Sequence, residues 1–205
     1  MTTTVRPTRR LAAADRRRQI LEVTRDLVAE QGFHGLSMEA VSQRAGVSRP
    51  IVYEHFGDLA GLLEALVDEL GGRALLQLAA VLPSADSTGD PADLLLRALR
   101  GYLEAARADP ATWRLILTPP EGAPAILRER IAQGRAAVVA QLAGALGVGV
   151  GTREPSPDPE LTARMMSTFA DEAARLMLAL PEEYPVERLL RHARWLLRQL
   201  EPGVD

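Results

Sequence analysis

The 205-residue chain contains no cysteine, which excludes disulfide bonds and cysteine-ligated metal sites. This absence is consistent with a reducing cytoplasm, where we expect the protein to reside. No stretch approaches the roughly 18 uninterrupted apolar residues of a membrane-spanning helix, so we expect no membrane partner. The N-terminus also lacks the apolar core of a signal peptide, because arginines dominate residues 6–18.

Sequence signatures of catalysis are missing as well. The three histidines are His34, His55 and His192, and the chain has no HExxH, P-loop, GxSxG or GxGxxG motif. The glycine-rich stretch 144–151 follows a predicted helix rather than a strand, which argues against a phosphate-binding loop. We therefore expect the protein not to be an enzyme and to need no cofactor and no metal ion.

Lysine is absent too, since all 24 basic residues are arginine, and these arginines are unevenly distributed. Residues 1–55 hold nine arginines against six acidic residues, whereas the remaining residues carry a net charge of −6. A basic N-terminal part is typical of a surface that contacts phosphates. The arginines at 16–18 oppose the dipole of the helix that they begin, which favours a DNA contact, Arg17 above all, over a solvated surface run. We expect residues 1–14 to form a disordered basic arm.

The segment 37–56 predicts two short helices joined by a tight turn. Ser37 is a suitable N-cap for the first helix, on which Val41 and Ala45 lie on one apolar face. Gly46 then supplies the residue that most readily adopts a left-handed backbone conformation. A glycine-containing turn between two such helices is the signature of a helix-turn-helix.

The second of these helices has the pattern of a DNA-reading helix. Ser48 is its predicted N-cap, and Val52 and Phe56, four residues apart, are predicted to face the core. A recognition helix enters the major groove with its N-terminal residues on base edges. The residues that this phase turns wholly or partly away from the core are Arg49, Pro50, Ile51, Tyr53, Glu54 and His55.

The segment resembles the TetR family of bacterial transcriptional regulators, whose pattern is close to T-x-x-x-I/V-A-x-x-A-G-V-S-x-x-x-L/V-Y-x-H-F. Ser42 stands where the family usually has alanine. The resemblance implies an all-α fold with a helix-turn-helix DNA-binding domain at 15–57 and a helical effector-binding and dimerisation domain at 58–205 that begins with a connecting helix. The positions that fit the pattern are Ser37, Val41, Ala45, Gly46, Val47, Ser48, Val52, Tyr53, His55 and Phe56.

Roles within the reading helix follow from side-chain chemistry and from the resemblance. Arg49 suits a guanine edge or a phosphate, the alternative being a solvated surface arginine, and Ile51 suits a thymine methyl group. The resemblance implies phosphate contacts for Tyr53 and His55, with core packing as the alternative for the Tyr53 ring.

Further positions concern the helix ends and departures from the family pattern. The helix N-termini at Ser37 and Ser48 are suited to holding phosphates. Pro50 replaces a frequent glycine and lacks a backbone donor, and Glu54 repels phosphate unless it accepts from a cytosine amine. We therefore expect DNA binding with an unusual sequence preference.

The rest of the chain predicts further helices, about nine in total, and no strand. Asp90-Pro91 and Asp109-Pro110 each provide an N-cap followed by proline, which is a helix-start signal. Gly71-Gly72 interrupts the connecting helix and is interpreted either as a hinge or as a helix end. The other predicted starts and ends are Asp15, Asp58, Pro124 to Leu146, Pro159 to Leu180 and Pro185 to Leu200.

The last two predicted helices each have an apolar face that suits either a homodimer interface or ordinary core. In the family these helices pair with those of a second subunit, and a palindromic operator needs two reading helices. We therefore expect a homodimer through these two helices. The faces comprise Met166, Phe169, Ala170, Ala173, Met177 and Leu180 on one helix and Leu189, Leu190, Ala193, Leu196, Leu197 and Leu200 on the other.

An effector pocket is implied by the resemblance, with plain core packing as the alternative for each residue. Glu172 places a carboxylate on an apolar stripe of the penultimate predicted helix and suits either a cationic ligand or a surface pair with Arg175. The candidate lining residues are Leu99, Tyr102, Trp113, Met165, Phe169 and Glu172.

The sequence therefore predicts a ligand-responsive repressor that binds a palindromic DNA operator as a dimer in the cytoplasm, associated with the nucleoid. One alternative is a DNA-bound regulator or architectural protein that is controlled by a protein partner instead of a small molecule. A second is a helical adaptor that has kept the fold without binding DNA.

Overall fold

The structure, a computed structural model, describes residues 12–84, 86–149 and 155–200. Within these ranges it contains nine α-helices, a short 3₁₀-helix at Phe33–Gly35 and no β-strand, which confirms the all-α prediction. None of the described helices is both long enough and apolar enough to cross a membrane. The helices are α1 (Ala13–Gln31), α2 (Met38–Ala45), α3 (Arg49–Phe56), α4 (Leu59–Ala79), α5 (Pro91–Ala108), α6 (Pro110–Leu117), α7 (Ala125–Gly147), α8 (Pro159–Ala179) and α9 (Val186–Leu200).

The chain divides into two compact units between Leu66 and Val67, inside α4. The first turns of α4 therefore belong to the N-terminal unit, although the sequence predicted a boundary at 57/58. Leu62 and Leu66 are fully buried, which explains why this part of α4 groups with the helices before it. At the N-terminus α1 begins at Ala13, so residues 13 and 14, which were predicted to belong to the disordered arm, are helical. Residues 1–11 lie outside the described ranges.

Aspartate caps fix the starts of three helices in the C-terminal unit. The side chain of Asp90 accepts from the Asp93 amide at 3.0 Å, and that of Asp158 accepts from the Leu161 amide at 3.0 Å. Asp109 makes the equivalent contact at the start of α6. A proline follows each cap, because the first turn of a helix tolerates a residue without a backbone donor. The predicted starts at Asp90-Pro91 and Asp109-Pro110 are confirmed.

Helix α4 continues across Gly71 and Gly72, so the helix-end alternative for this pair is wrong, while the hinge alternative stays a prediction. The apolar face explains the continuity, because Leu70 before the pair and Ala74 after it are both buried. Burial on one side of a helix outweighs the roughly 1 kcal/mol by which glycine disfavours the helical state.

The core of the C-terminal unit forms around two aromatic residues. Tyr102 of α5 and Trp113 of α6 meet edge to face, with ring centroids 5.0 Å apart. Both are buried, and the indole Nε1 of Trp113 donates to Gln77 Oε1 at 3.0 Å. Residues of α8 and α9 complete this cluster, among them Ala173, Met177, Val186 and Leu190.

Four of the twelve residues on the two predicted interface faces belong to the core, and five others are half-buried. Ala173, Met177, Leu190 and Ala193 are buried within this single chain. Phe169 and Leu180 of the predicted faces are exposed. The helices α8 and α9 also leave Leu161, Met165 and Trp195 exposed, which the prediction did not include. The side chain of Leu200 lies outside the described residues.

Candidate DNA-binding surface and internal cavity

The turn between α2 and α3 has the backbone geometry that its sequence predicts. Gly46 lies in the left-handed region at φ 65° and ψ 35°, and its amide donates to Gln43 O at 3.2 Å. The Val47 amide donates to Ser42 O at 3.0 Å, which closes the end of α2. At the other end of α2, Ser37 Oγ accepts from the Ala40 amide at 3.1 Å, so its predicted cap is confirmed. A residue with a side chain would be strained at position 46.

The side chain of Ser48 makes no cap hydrogen bond, so this part of the prediction was wrong. Ser48 has the extended backbone of an N-cap residue. A capping oxygen normally accepts from the second or third helical amide. Pro50, in the second position, has no amide hydrogen, and the Ile51 amide donates to Ser48 O at 3.0 Å. The Ser48 hydroxyl therefore has no role in holding the first turn of α3.

The two sides of α3 separate as predicted. Val52 and Phe56 are buried, whereas Arg49, Pro50 and Glu54 are exposed and Ile51 and His55 are half-buried. The Tyr53 side chain is 44% exposed, which argues against the core-packing alternative for this ring. Arg49 and Tyr53 stand four residues apart and therefore share one exposed face of the helix.

Arg49 is held only loosely by its neighbours. Its Nη1 lies 3.8 Å from Glu39 Oε2, and both side chains are more than half exposed. Arg44, by contrast, donates to both carboxylate oxygens of Glu30, and these hydrogen bonds lower the pKa of Glu30. Exposed ion pairs contribute little in water, and the long one at Arg49 is easily exchanged for another anion.

The three arginines at the start of α1 differ in their contacts. The Arg17 guanidinium lies over the ring of Phe56, the last residue of α3, with its central carbon 4.6 Å from the ring centroid. Arg16 donates to Gln19 Oε1 at 2.7 Å, and Arg18 pairs with Asp15 at 3.4 Å. Of the three, Arg17 is the one placed beside the reading helix.

A cavity of about 360 Å³ lies in the C-terminal unit and has a mainly apolar lining. This volume falls within the usual range of small-molecule pockets. Five of the six residues predicted to line a pocket do so, contributed by α5, α6 and α8. They are Leu99, Tyr102, Trp113, Met165 and Phe169.

Glu172, the sixth, does not line the cavity. Its carboxylate is exposed and accepts from Arg175 Nη1 at 2.7 Å, which is the surface pair that the sequence offered as the alternative. The phase of α8 explains this position, because Ala173, Ala174 and Met177 are the buried residues of that turn. The carboxylate at the cavity is Asp171, the preceding residue.

Asp171 lines the polar end of the cavity, where it accepts two hydrogen bonds. Tyr102 Oη donates to Asp171 Oδ1 at 2.8 Å, and Arg135 Nη2 of α7 donates to Asp171 Oδ2 at 2.7 Å. Burial, followed by the charge of Asp171, raises the pKa of Tyr102, so its hydroxyl remains a donor. Sequence reasoning missed both Asp171 and Arg135, since neither belongs to a continuous apolar stripe.

A family model described as bacterial regulatory proteins of the tetR family matches residues 20–66, from α1 through the helix-turn-helix into α4. The chain is 35% identical over 105 residues to the HTH-type transcriptional regulator BetI of Yersinia pestis (strain Pestoides F), covering 48% of this chain and 50% of BetI. It is 29% identical over 111 residues to the HTH-type transcriptional activator FasR of Mycolicibacterium smegmatis, covering 52% of this chain and 48% of FasR. The chain thus spans about half the length of the curated relatives it matches.

The likeness in fold covers more of the chain. A crystal structure of a putative TetR-family transcriptional regulator from Rhodococcus sp. superposes with a TM-score of 0.70 at 26% identity, covering 91% of this chain and 98% of that one. These relatives are transcriptional regulators rather than enzymes. Residues 20–66 thus match the TetR family of bacterial regulatory proteins, and the fold of the described helices is similar to that of TetR-family regulators.

Proposed function

We propose that the protein is a ligand-responsive transcriptional repressor that binds a palindromic DNA operator as a homodimer. The observation that carries this proposal is the exposed face of α3, where Arg49 and Tyr53 stand side by side beyond a closed glycine turn. A short helix held at its buried side by two core residues and left bare on the other is suited to the major groove.

The surface around α3 carries arginine side chains that can pair with DNA phosphates or bases. Arg17 lies against the C-terminal end of α3, and Arg49 lies in its first turn. Phosphate contacts set the register of a protein on DNA, while base contacts choose the sequence. Arg49 supplies base readout, Ile51 contacts a thymine methyl, and Arg17, Tyr53 and His55 contact phosphates.

The dimer rests on apolar residues that a single chain leaves in water. Leu161, Met165 and Phe169 follow one stripe of α8, at intervals of four residues, and all three are exposed. Trp195 of α9 is exposed as well and stacks on His192 at a centroid distance of 5.6 Å. Contiguous exposed apolar residues on long helices are typical of a protein–protein interface. Two copies of this face bring two reading helices together for a palindromic operator.

The regulatory input is a small molecule in the cavity of the C-terminal unit. The cavity has room for a ligand, a mainly apolar wall and a single carboxylate cluster, which are the features of a binding pocket. A ligand that prefers one conformation of the protein shifts the population toward it and thereby changes the affinity for DNA.

A gel-retardation assay on the DNA upstream of the protein's own gene tests the DNA half of the proposal. The wild type is expected to shift this fragment and not a scrambled one. Arg49→Ala should lose about 1–3 kcal/mol at the cognate base pair and show relaxed sequence choice. Arg107→Ala, which removes an exposed arginine at the end of α5, is the matched control and should bind as the wild type does. Unchanged operator choice in Arg49→Ala would remove this side chain from base readout.

A further inference from the structure

The ion pair at the cavity is asymmetric in its exposure to water. Asp171 and Arg135 meet at 2.7 Å, but the Asp171 side chain is only 14% exposed whereas that of Arg135 is 46% exposed. The carboxylate therefore depends on its partners, because a buried charge without a counter-ion is strongly unfavourable. The guanidinium does not, because water can solvate it after the pair separates.

This asymmetry decides which charged ligand the cavity accepts. An anion that draws Arg135 away leaves the largely buried Asp171 without a counter-ion, with only the neutral Tyr102 hydroxyl still donating to it. A cation that takes the place of Arg135 keeps Asp171 paired and releases an arginine that is already half in water. We propose that the cavity binds lipophilic cations, with Asp171 as the counter-ion and Arg135 as the residue displaced. This inference rests on the proposed function, because it names the ligand class of the same regulatory pocket.

The remainder of the site suits a cation with a bulky apolar body. Tyr102, Trp113 and Phe169 present aromatic rings to the cavity, and Met165 and Met166 add polarizable thioethers. Aromatic faces attract organic cations, and the attraction is stronger where water is excluded. The rest of the wall is largely aliphatic, so the charge is expected at the Asp171 end and the apolar body along the leucines.

Asp171 also has acceptor capacity to spare. An ionised carboxylate offers about four lone-pair positions, and Tyr102 and Arg135 each use one. The pKa of Tyr102 is raised by burial first and then by the charge of Asp171, against smaller opposing effects of Arg135 and Arg175. The negative charge of Asp171 thus has a larger effect on the tyrosine hydroxyl than the charge of either arginine.

Three probes with the same alkyl chain separate the ligand classes: octyltrimethylammonium, octanol and octanoate. Quaternary ammonium carries a permanent charge, so its binding does not depend on its own protonation. The reporter is the fluorescence of Trp113, which lines the cavity, in a Trp195→Phe background that removes the exposed second tryptophan. We expect octyltrimethylammonium to bind most tightly and octanoate least.

Two charge-removing variants provide opposite signatures. Asp171→Asn removes the counter-ion and should weaken octyltrimethylammonium at least about tenfold, while octanol binding changes little. Arg135→Gln removes the competing cation and should strengthen octyltrimethylammonium binding. Arg100→Gln is the matched control, because Arg100 is 43% exposed and pairs with Glu187 at 2.7 Å but does not line the cavity, and it should leave all three affinities unchanged. Thermal melts of each variant establish that it is folded.

Tighter binding of octanoate, weakened cation binding in Arg135→Gln, or equal cation binding in wild type and Asp171→Asn would each overturn the inference. So would the absence of binding by all three probes. If Asp171→Asn does not fold, the direction of the Arg135→Gln effect decides alone. The assay uses no DNA, so its failure is distinct from that of the proposed function, which retardation of the operator by the ligand-free protein tests separately.

Discussion

Replacing Gly71 and Gly72 with alanine, singly and together, tests whether α4 bends at this pair when a ligand enters the cavity. Both glycines lie inside the continuous helix α4, and a Cβ built on either one meets no heavy atom within 4 Å. Gly71 lines the cavity, whereas Gly72 is exposed and does not. The two positions are therefore matched in helix propensity and differ in their access to the ligand.

The expected stabilisation follows from propensity alone. Alanine is favoured over glycine inside a helix by about 1 kcal/mol per position, and the open space around both Cβ positions means that no clash offsets this gain. Each single variant should therefore raise Tm by about 2–4 °C, which is the shift that 1 kcal/mol gives in a protein of this size. The double variant should gain about twice as much, since the two changes share no partner.

The functional result separates a hinge from a simple change of pocket shape. If α4 bends at the pair, both single variants should reduce ligand-induced release from DNA, as measured by retardation across a ligand titration. Only Gly71→Ala should also change ligand affinity, because its methyl group takes up cavity volume. Normal release by the double variant would rule out the hinge, and an unchanged or lowered Tm would contradict the helical continuity of α4.

Two further predictions concern the DNA surface and the dimer. Arg17→Ala should flatten the slope of log DNA affinity against log salt concentration by about 0.9, the value for one lost phosphate contact. The control Arg107→Ala should leave this slope unchanged. An unaltered slope in Arg17→Ala would mean that Arg17 only packs on Phe56 and does not contact DNA. Leu161→Glu should convert the dimer to monomer in sedimentation without lowering Tm of the monomer, since Leu161 is 53% exposed and does not line the cavity. Leu76→Glu, at a leucine of α4 that is 76% exposed, is its control. A dimer that tolerates Leu161→Glu would place the interface elsewhere.

Features set by local backbone chemistry could be predicted from the sequence. The left-handed turn at Gly46 and the caps at Ser37, Asp90 and Asp109 depend on a few consecutive residues, and all four are present. The division of α3 into a buried and an exposed side follows from the spacing of Val52 and Phe56 alone. Such features need no knowledge of which other helix packs against them.

Local patterns gave wrong or undecided predictions where a residue outside the short pattern determines the structure. A serine before a helix is a good cap, but Pro50 removes the amide at the second helical position and the Ile51 amide bonds to the Ser48 carbonyl. Gly71-Gly72 is a plausible helix end, but burial of Leu70 and Ala74 on either side keeps α4 helical. In both cases the outcome depends on residues that lie outside the pattern of two or three residues used for the prediction.

The position of the cavity carboxylate shows the limit of helical phase as a guide to a site. Met165, Phe169 and Glu172 lie on the exposed side of α8, and the first two also line the cavity. From sequence alone, an apolar stripe is compatible with an interface as well as with a core. Asp171, one residue before Glu172, lies about 100° away around the helix axis and contacts Tyr102 and Arg135. These two partners come from α5 and α7, far away in sequence, and they decide which acidic residue is buried. The type of group was therefore predictable from α8, whereas its identity depended on the packing of three helices.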